Sequence, residues 1–234
     1  VKGKSTEDVS SVLKGQPGVQ VNVLIERPGT EKPIKKTFTR EEVKVKSVPY
    51  KGMVDDGIAY VRLTRFTRNC ASEVEEAILE LTDENEVKGL VLDLRGNPGG
   101  LLNESVRLCN LFIDKNQEVV STKGKIKDWD KSYKTMKEPL DKELPLAVLI
   151  NQSSASASEI VSGTIQDLDR GVVIGKKSFG KGLVQQTRKL SYNSQLKVTV
   201  AKYYTPSGRC IQALDYANKN DDGSVGKVAD SLKS

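Results

Sequence analysis

The hydrophobic positions of this chain change period several times, and each change marks an element. Val9, Val12 and Leu13 repeat at helical spacing behind Ser5-Thr6-Glu7-Asp8, a capping-box-like start, and Gly15 ends the pattern. Val19, Val21, Val23 and Ile25 then alternate with polar or neutral residues, which predicts a strand, and Pro28-Gly29 turns the chain. The highly charged stretch from Lys36 to Lys46 predicts a further strand at a sheet edge.

A second module opens at Gly57. Residues 58–63 read as a strand, and Asn69 is placed to cap a helix whose apolar face holds Val74, Ala77, Ile78 and Leu81. Residues 89–94 form a continuous apolar run of the buried-strand kind. That run ends in Arg95-Gly96-Asn97-Pro98-Gly99-Gly100, and a helix follows with Leu101, Ser105, Leu108 and Phe112 on one side. The lysine- and aspartate-rich residues 123–143 predict a surface excursion. Residues 146–150 are another buried strand and lead directly into Ser153-Ser154-Ala155-Ser156-Ala157-Ser158-Glu159. Ile160, Val161, Ile165 and Leu168 line the next helix, and residues 172–174 form a short strand. Residues 184–190 and 196–204 predict an antiparallel pair around a polar turn at Asn193, and the stretch after Ala213 shows no core pattern and reads as a mobile tail. Strand–helix alternation between residues 87 and 174 argues an α/β core with both sheet faces covered. Function in such cores gathers where strands end and helices begin, the position of both the glycine-rich and the serine-rich segments.

Composition removes several classes. A length of 234 residues fits one large domain or one and a half ordinary ones, and 37% hydrophobic residues suffice for a core. The net charge of +6 is a weak bias spread over scattered lysines, and aromatics are 5%, so the clustered basic and stacking residues of a nucleic-acid binder are missing. Cys70, Cys109 and Cys210 are an odd number without metal-site spacing and are expected as buried thiols. No apolar run approaches the roughly 20 residues of a membrane span, so no integral membrane segment is expected. No signal peptide is visible, and the chain does not begin with Met.

The chain has no histidine, so a serine nucleophile here needs another base. A lysine that loses its charge through burial is the main candidate. Ser156 stands at a helix start, where free N–H groups favour an oxyanion, but Ser156-x-x-Glu159 is equally a capping box, and Ser154 and Ser158 compete with it. Lys181 lies between Gly180 and Gly182, which suit a close backbone approach, although a solvated loop lysine is the ordinary reading of any one of 37 Lys and Arg residues. Residues 175–181 imitate the start of a phosphate-binding loop, but Gly182 replaces the Ser or Thr that holds magnesium, and the following residues read as strand where a helix is required. The Gly99-Gly100 turn offers a backbone N–H to an oxyanion, or is only a tight turn.

Taken in order, Leu92-Asp93-Leu94-Arg95-Gly96-Asn97-Pro98-Gly99-Gly100, Ser154 to Ile160, Phe179-Gly180-Lys181-Gly182-Leu183-Val184-Gln185-Gln186 and Tyr204-Thr205-Pro206-Ser207-Gly208-Arg209 resemble the carboxyl-terminal processing peptidases, or tail-specific proteases, of the S41 class. The resemblance implies an α/β fold with a crotonase-like spiral core. It implies Ser156 as nucleophile, Lys181 as general base and Gln185 as the residue that orients the lysine. The oxyanion hole would be the N–H of Ala157 with that of Gly99 or Gly100, and no metal or cofactor is required. The first residues resemble the C-terminal half of a PDZ domain, so the expected division is residues 1–36, partial PDZ, and 37–234, peptidase domain. The family's PDZ begins earlier and its catalytic part continues further, so the chain reads as a fragment trimmed at both ends. Implied partners are unstructured polypeptide C-termini, with a homo-oligomer or an adaptor protein left open, and the implied location is the periplasm or cell envelope. A catalytically silent peptide-binding module and a crotonase-like acyl-CoA enzyme are the alternatives, the latter without visible acyl-CoA residues.

Overall fold

The structure is a computed structural model and describes residues 3–42, 45–192 and 194–227. It separates into two compact units, Val1–Val45 and Lys46–Ser234. In the first, α1 (Thr6–Leu13) starts at the expected capping box, with Ser5 and Asp8 exchanging contacts. Strand β1 (Gln20–Ile25) alternates half-buried and exposed residues and pairs antiparallel with β2 (Ile34–Thr39). The charged strand expected from Lys36 to Lys46 therefore begins earlier and ends at Thr39, with residues 43 and 44 outside the described set. A boundary after residue 36 would cut through β2, which among the described residues pairs with β1; the compact units divide at 45/46.

The second unit holds the core. A five-stranded sheet runs in the order β3 (Tyr50–Asp55), β4 (Ile58–Arg62), β5 (Gly89–Asp93), β8 (Leu146–Ile150) and β9 (Val172–Gly175). All neighbours are parallel except β3, which forms a hairpin with β4. Three helices connect these strands: α2 (Cys70–Glu84), α3 (Leu102–Cys109) and α4 (Ala157–Asp167). The expected face of α2 is buried, but Asn69 enters it in the left-handed conformation (φ 68°) and its side chain makes no cap bond. Leu92, Leu108, Val148, Val161 and Ile165, each fully buried, meet between sheet and helices.

The stretch 123–143 lies at the surface as expected, but parts of it are ordered as strand. Residues β6 (Glu118–Gly124) and β7 (Lys131–Lys134) enter a second, antiparallel sheet with β10 (Leu183–Lys189) and β11 (Gln195–Tyr204), in the order β10-β11-β6-β7. Val119, Val120 and Thr122, just before that stretch, are buried, whereas within 123–143 only Thr135 is. The tail after Ala213 also has structure, because β12 (Leu214–Lys219) pairs with β13 (Val225–Lys227). The turn expected at Asn193 lies outside the described residues. Among the described residues, no helix is long and apolar enough to cross a membrane.

Candidate active site

Two strand ends deliver the two motifs to one place. Strand β5 stops at Asp93, which is buried and takes a bidentate contact from Arg95, the Arg95 N–H, and the Tyr60 hydroxyl at 2.5 Å. Burial pushes the Asp93 carboxyl up, but the Arg95 and Tyr60 hydrogen bonds outweigh it and hold the pKa below the ordinary aspartate value. This knot fixes the start of the glycine turn. Asn97, fully buried, then holds the turn itself: its amide donates to Leu63 O and its Oδ1 accepts the Gly99 N–H at 2.9 Å.

Strand β8 stops at Ile150, and residues 151–159 fold onto that turn. The Ala155 N–H and the Ser158 hydroxyl both donate to the Asn97 carbonyl at 3.0 Å. Ser154 Oγ donates to Leu94 O and accepts from the Asn151 N–H. Ser154 and Ser158 are thus fully buried with their hydroxyls donated to backbone carbonyls, while Ser156 is half-buried and forms the expected capping box, its side chain accepting from the Glu159 N–H and donating to no group among the described residues. Ser156 also has φ 57° and ψ −112°, a conformation costly for a residue with a Cβ, and it sits immediately before α4. Geometry therefore separates three serines that the sequence leaves equivalent.

The glycine turn touches the same point. A Cβ at Gly99 (φ +91°) would lie 2.6 Å from Ala155 O, 2.8 Å from Ala157 N and 2.8 Å from Ser156 Cβ. Gly99 has already donated its N–H to Asn97. Phe66 bonds to the residues on either side of Gly100, donating to Gly99 O and accepting from the Leu101 N–H. In such a parallel bridge the N–H of the central residue points away from the partner strand, so that of Gly100 faces away from Phe66. The N–H of Ala157, first residue of α4, has no carbonyl one turn back to bond. Among the described residues, the N–H groups of Ala157 and Gly100 bond to no acceptor.

Glu159 joins this elbow to the lysine loop. It is buried, and its Oε2 accepts the Ser156 N–H at 2.7 Å and the Lys181 N–H at 2.8 Å, while Oε1 accepts the Gly180 N–H at 2.5 Å and the Ser178 hydroxyl at 2.7 Å. The backbones of the two candidate dyad residues thus share a single oxygen atom. The Ser156-x-x-Glu159 spacing signalled a capping box; nothing in it signalled the contacts across to residues 178–181.

Two expectations are corrected here. Lys181 is exposed, not buried, and no hydrogen bond joins its Nζ to Ser156 Oγ among the described residues. Its flanking glycines serve packing of the backbone: a Cβ at Gly180 would meet Ala213 Cβ at 2.2 Å, and one at Gly182 would meet Gln212 N at 2.3 Å. Gln185 is also exposed, and its amide reaches Thr199 Oγ1 at 3.5 Å, not Lys181. The Tyr204–Arg209 motif lies at the other end of α4, where Asp167 takes the Ser207 N–H, the Ser207 hydroxyl and the Arg209 guanidinium. The phosphate-loop likeness fails as the residue types suggested, since strand β10 follows Lys181 where a helix is needed. Among the described residues, no group of His, Cys, Asp and Glu side chains is placed to hold a metal ion. Cys70 and Cys109 are buried free thiols, while Cys210 is only half-buried.

Residues 57–217 match the family described as Peptidase family S41. The chain belongs to the S41 peptidases. It is similar to a carboxy-terminal-processing protease of Bartonella bacilliformis, 39% identical over 217 residues, covering 92% of this chain and 49% of that one. A probable CtpA-like serine protease of Staphylococcus haemolyticus is 41% identical over 214 residues, covering 90% and 42%. Among solved structures, the photosystem II D1 C-terminal processing protease superposes with a TM-score of 0.64 at 34% identity, covering 91% of this chain and 57% of that one. The S41 chain thus spans about half the length of the curated relatives it matches.

Proposed function

We propose that this chain carries the catalytic centre of a serine endopeptidase that trims unstructured polypeptides near their C-terminal ends, with Ser156 as nucleophile and Lys181 as general base. The observation that carries the reading is the shared Glu159 carboxylate, which ties the strained Ser156, at the start of α4, to the lysine loop. Neutral Lys181 Nζ takes the Ser156 hydroxyl proton as Oγ attacks the peptide carbonyl carbon. The N–H groups of Ala157 and Gly100 receive the oxyanion. The Lys181 ammonium then protonates the departing amine; the neutral lysine amine so regenerated deprotonates a water that attacks the acyl ester, and the resulting ammonium returns the proton to Ser156 Oγ as the ester bond breaks. A polypeptide lying over the exposed lysine excludes water from its ammonium, and loss of water disfavours the charged form. Gln185, four residues along, turns from Thr199 to orient Nζ in that covered state. The first compact unit supplies part of a PDZ-type groove for the substrate terminus, and the periplasm or cell envelope is the proposed location.

The exposure of Lys181 favours one second reading, a peptide-binding module without turnover. Incubation with a peptide bearing an apolar C-terminus, followed by mass spectrometry, separates the two. Fragments from the unaltered protein, and none from Ser156→Ala or Lys181→Arg with unchanged circular dichroism, establish the dyad; guanidinium cannot serve as base. Binding without fragments supports the silent module.

A further inference from the structure

We propose that the substrate is held at this site as an added strand on the outer edge of β10, hydrogen-bonded to the backbone of Leu183 and delivered from there to Ser156. The proposal rests on the peptidase reading and states how that site grips its chain. Strand β10 ends its sheet, and among the described residues it pairs only with β11. The carbonyl of Gly182 faces β11, where it accepts the Tyr203 N–H at 2.8 Å, while its N–H donates to Gln212 Oε1 at 2.9 Å. Successive residues of an extended backbone send their amide groups to opposite sides. Lys181 and Leu183 therefore face away from β11. The Lys181 N–H shows where that side leads: it bonds to Glu159 Oε2, the oxygen that also holds the Ser156 N–H. Leu183, two residues on, directs its N–H and C=O to the same side as the nucleophile.

The rest of the strand is open to a partner. Past the irregularity at Val184/Gln185, residues 185–189 are exposed, and so are residues 195–199 opposite them. A two-stranded ribbon exposed on both faces is weakly stabilised and gains from a third strand. An extended polypeptide is the occupant that fits. A chain paired with Leu183 runs on along the Lys181 side toward Ser156 Oγ, whereas the β10 edge of a second copy would bring no cleavable segment there. Backbone pairing of this kind is indifferent to side chains, as suits substrates that share only an unstructured state.

The test uses peptide substrates N-methylated at one position at a time, with the unaltered 234-residue chain. Methylation at alternate positions should raise KM about tenfold, the intervening positions remaining near the parent value, because only every second N–H of an added strand faces β10. Leu183→Pro should give a similar KM increase with kcat and melting temperature held, since it removes a donor that bonds nothing in β11. Cleavage of the parent peptide without a two-residue alternation overturns strand docking and leaves the peptidase reading standing, as does an unchanged KM in folded Leu183→Pro. If that variant fails to fold, the methylation series decides alone. No cleavage of the parent peptide overturns the peptidase reading and the docking with it.

Discussion

Around Ser156, Ser154, Ser158, Asn97 and Glu159 are all buried and hydrogen-bonded, whereas Lys181 has its backbone tied down and its side chain in solvent. The nucleophile half is built of short side chains bonded to backbone, between two strand ends of a parallel sheet. The base half is a loop leading into an exposed ribbon. The difference teaches that only half of the proposed machinery is preorganised. On the proposed reading, the nucleophile half is held in place and the lysine side chain awaits whatever covers it.

Glu159 bridges the halves, so Glu159→Gln is the harshest way to break the contrast. All four groups that reach the carboxylate are donors. An amide of the same shape presents an NH2 group to two of them. The expected loss is about 3–5 kcal/mol of stability, read from urea midpoints, with peptide cleavage lost as well. A variant with full activity would show that the two halves are held together by something else. Next comes Gly99→Ala, aimed at the nucleophile half alone. The new methyl group would press on Ala155 O and Ala157 N from a backbone with φ +91°. About 2–4 kcal/mol of stability should be lost, and kcat should fall about a hundredfold as the Ala157 donor is displaced.

Much of this contrast was legible in the residues. Apolar runs gave the parallel strands, and the glycine and serine segments fell at strand ends as the alternation required. What stayed hidden has physical causes. Strand β3 and the β6–β7 pair carry short inner faces among charges, so their periodicity is masked. Buried polar links such as Asn97 to Leu63 and Glu159 to residues 178–181 join distant positions, and no local pattern encodes them. The glycines around Lys181 were legible as a close approach, but sequence could not say that the approaching group was the backbone of residues 212–213 and not a wall around the lysine.

A smaller effect tests whether the nucleophile helix is held from its far end too. Burial pushes the Asp167 carboxyl up, yet the hydroxyls of Ser207 and Thr205, the Ser207 N–H and Arg209 together hold its pKa below the ordinary value. A depressed carboxyl stabilises the fold above its unfolded pKa, about 3.9, and that contribution is lost as pH falls through the lower folded value. Arg209→Ala should therefore lower stability by about 1–2 kcal/mol at pH 7. The gap between variant and parent urea midpoints should close as the pH drops below about 4. A gap that is constant with pH would assign the loss to packing.

The smallest expected change in stability lies in the base half and sharpens the contrast most directly. Gln185 is exposed, and among the described residues its side chain bonds only Thr199, at 3.5 Å. Gln185→Ala should move the urea midpoint by less than about 0.5 kcal/mol. If Gln185 orients Lys181 only when a chain covers the site, the same variant should lower kcat about tenfold with KM held, since the contact would be made late and not on first binding. The pairing of an unchanged fold with a reduced kcat is what separates the two halves, because on the nucleophile side stability and turnover fall together. Loss of stability alongside kcat in Gln185→Ala would mean that the base half is as firmly built as the other, and the asymmetry between them would have to be abandoned.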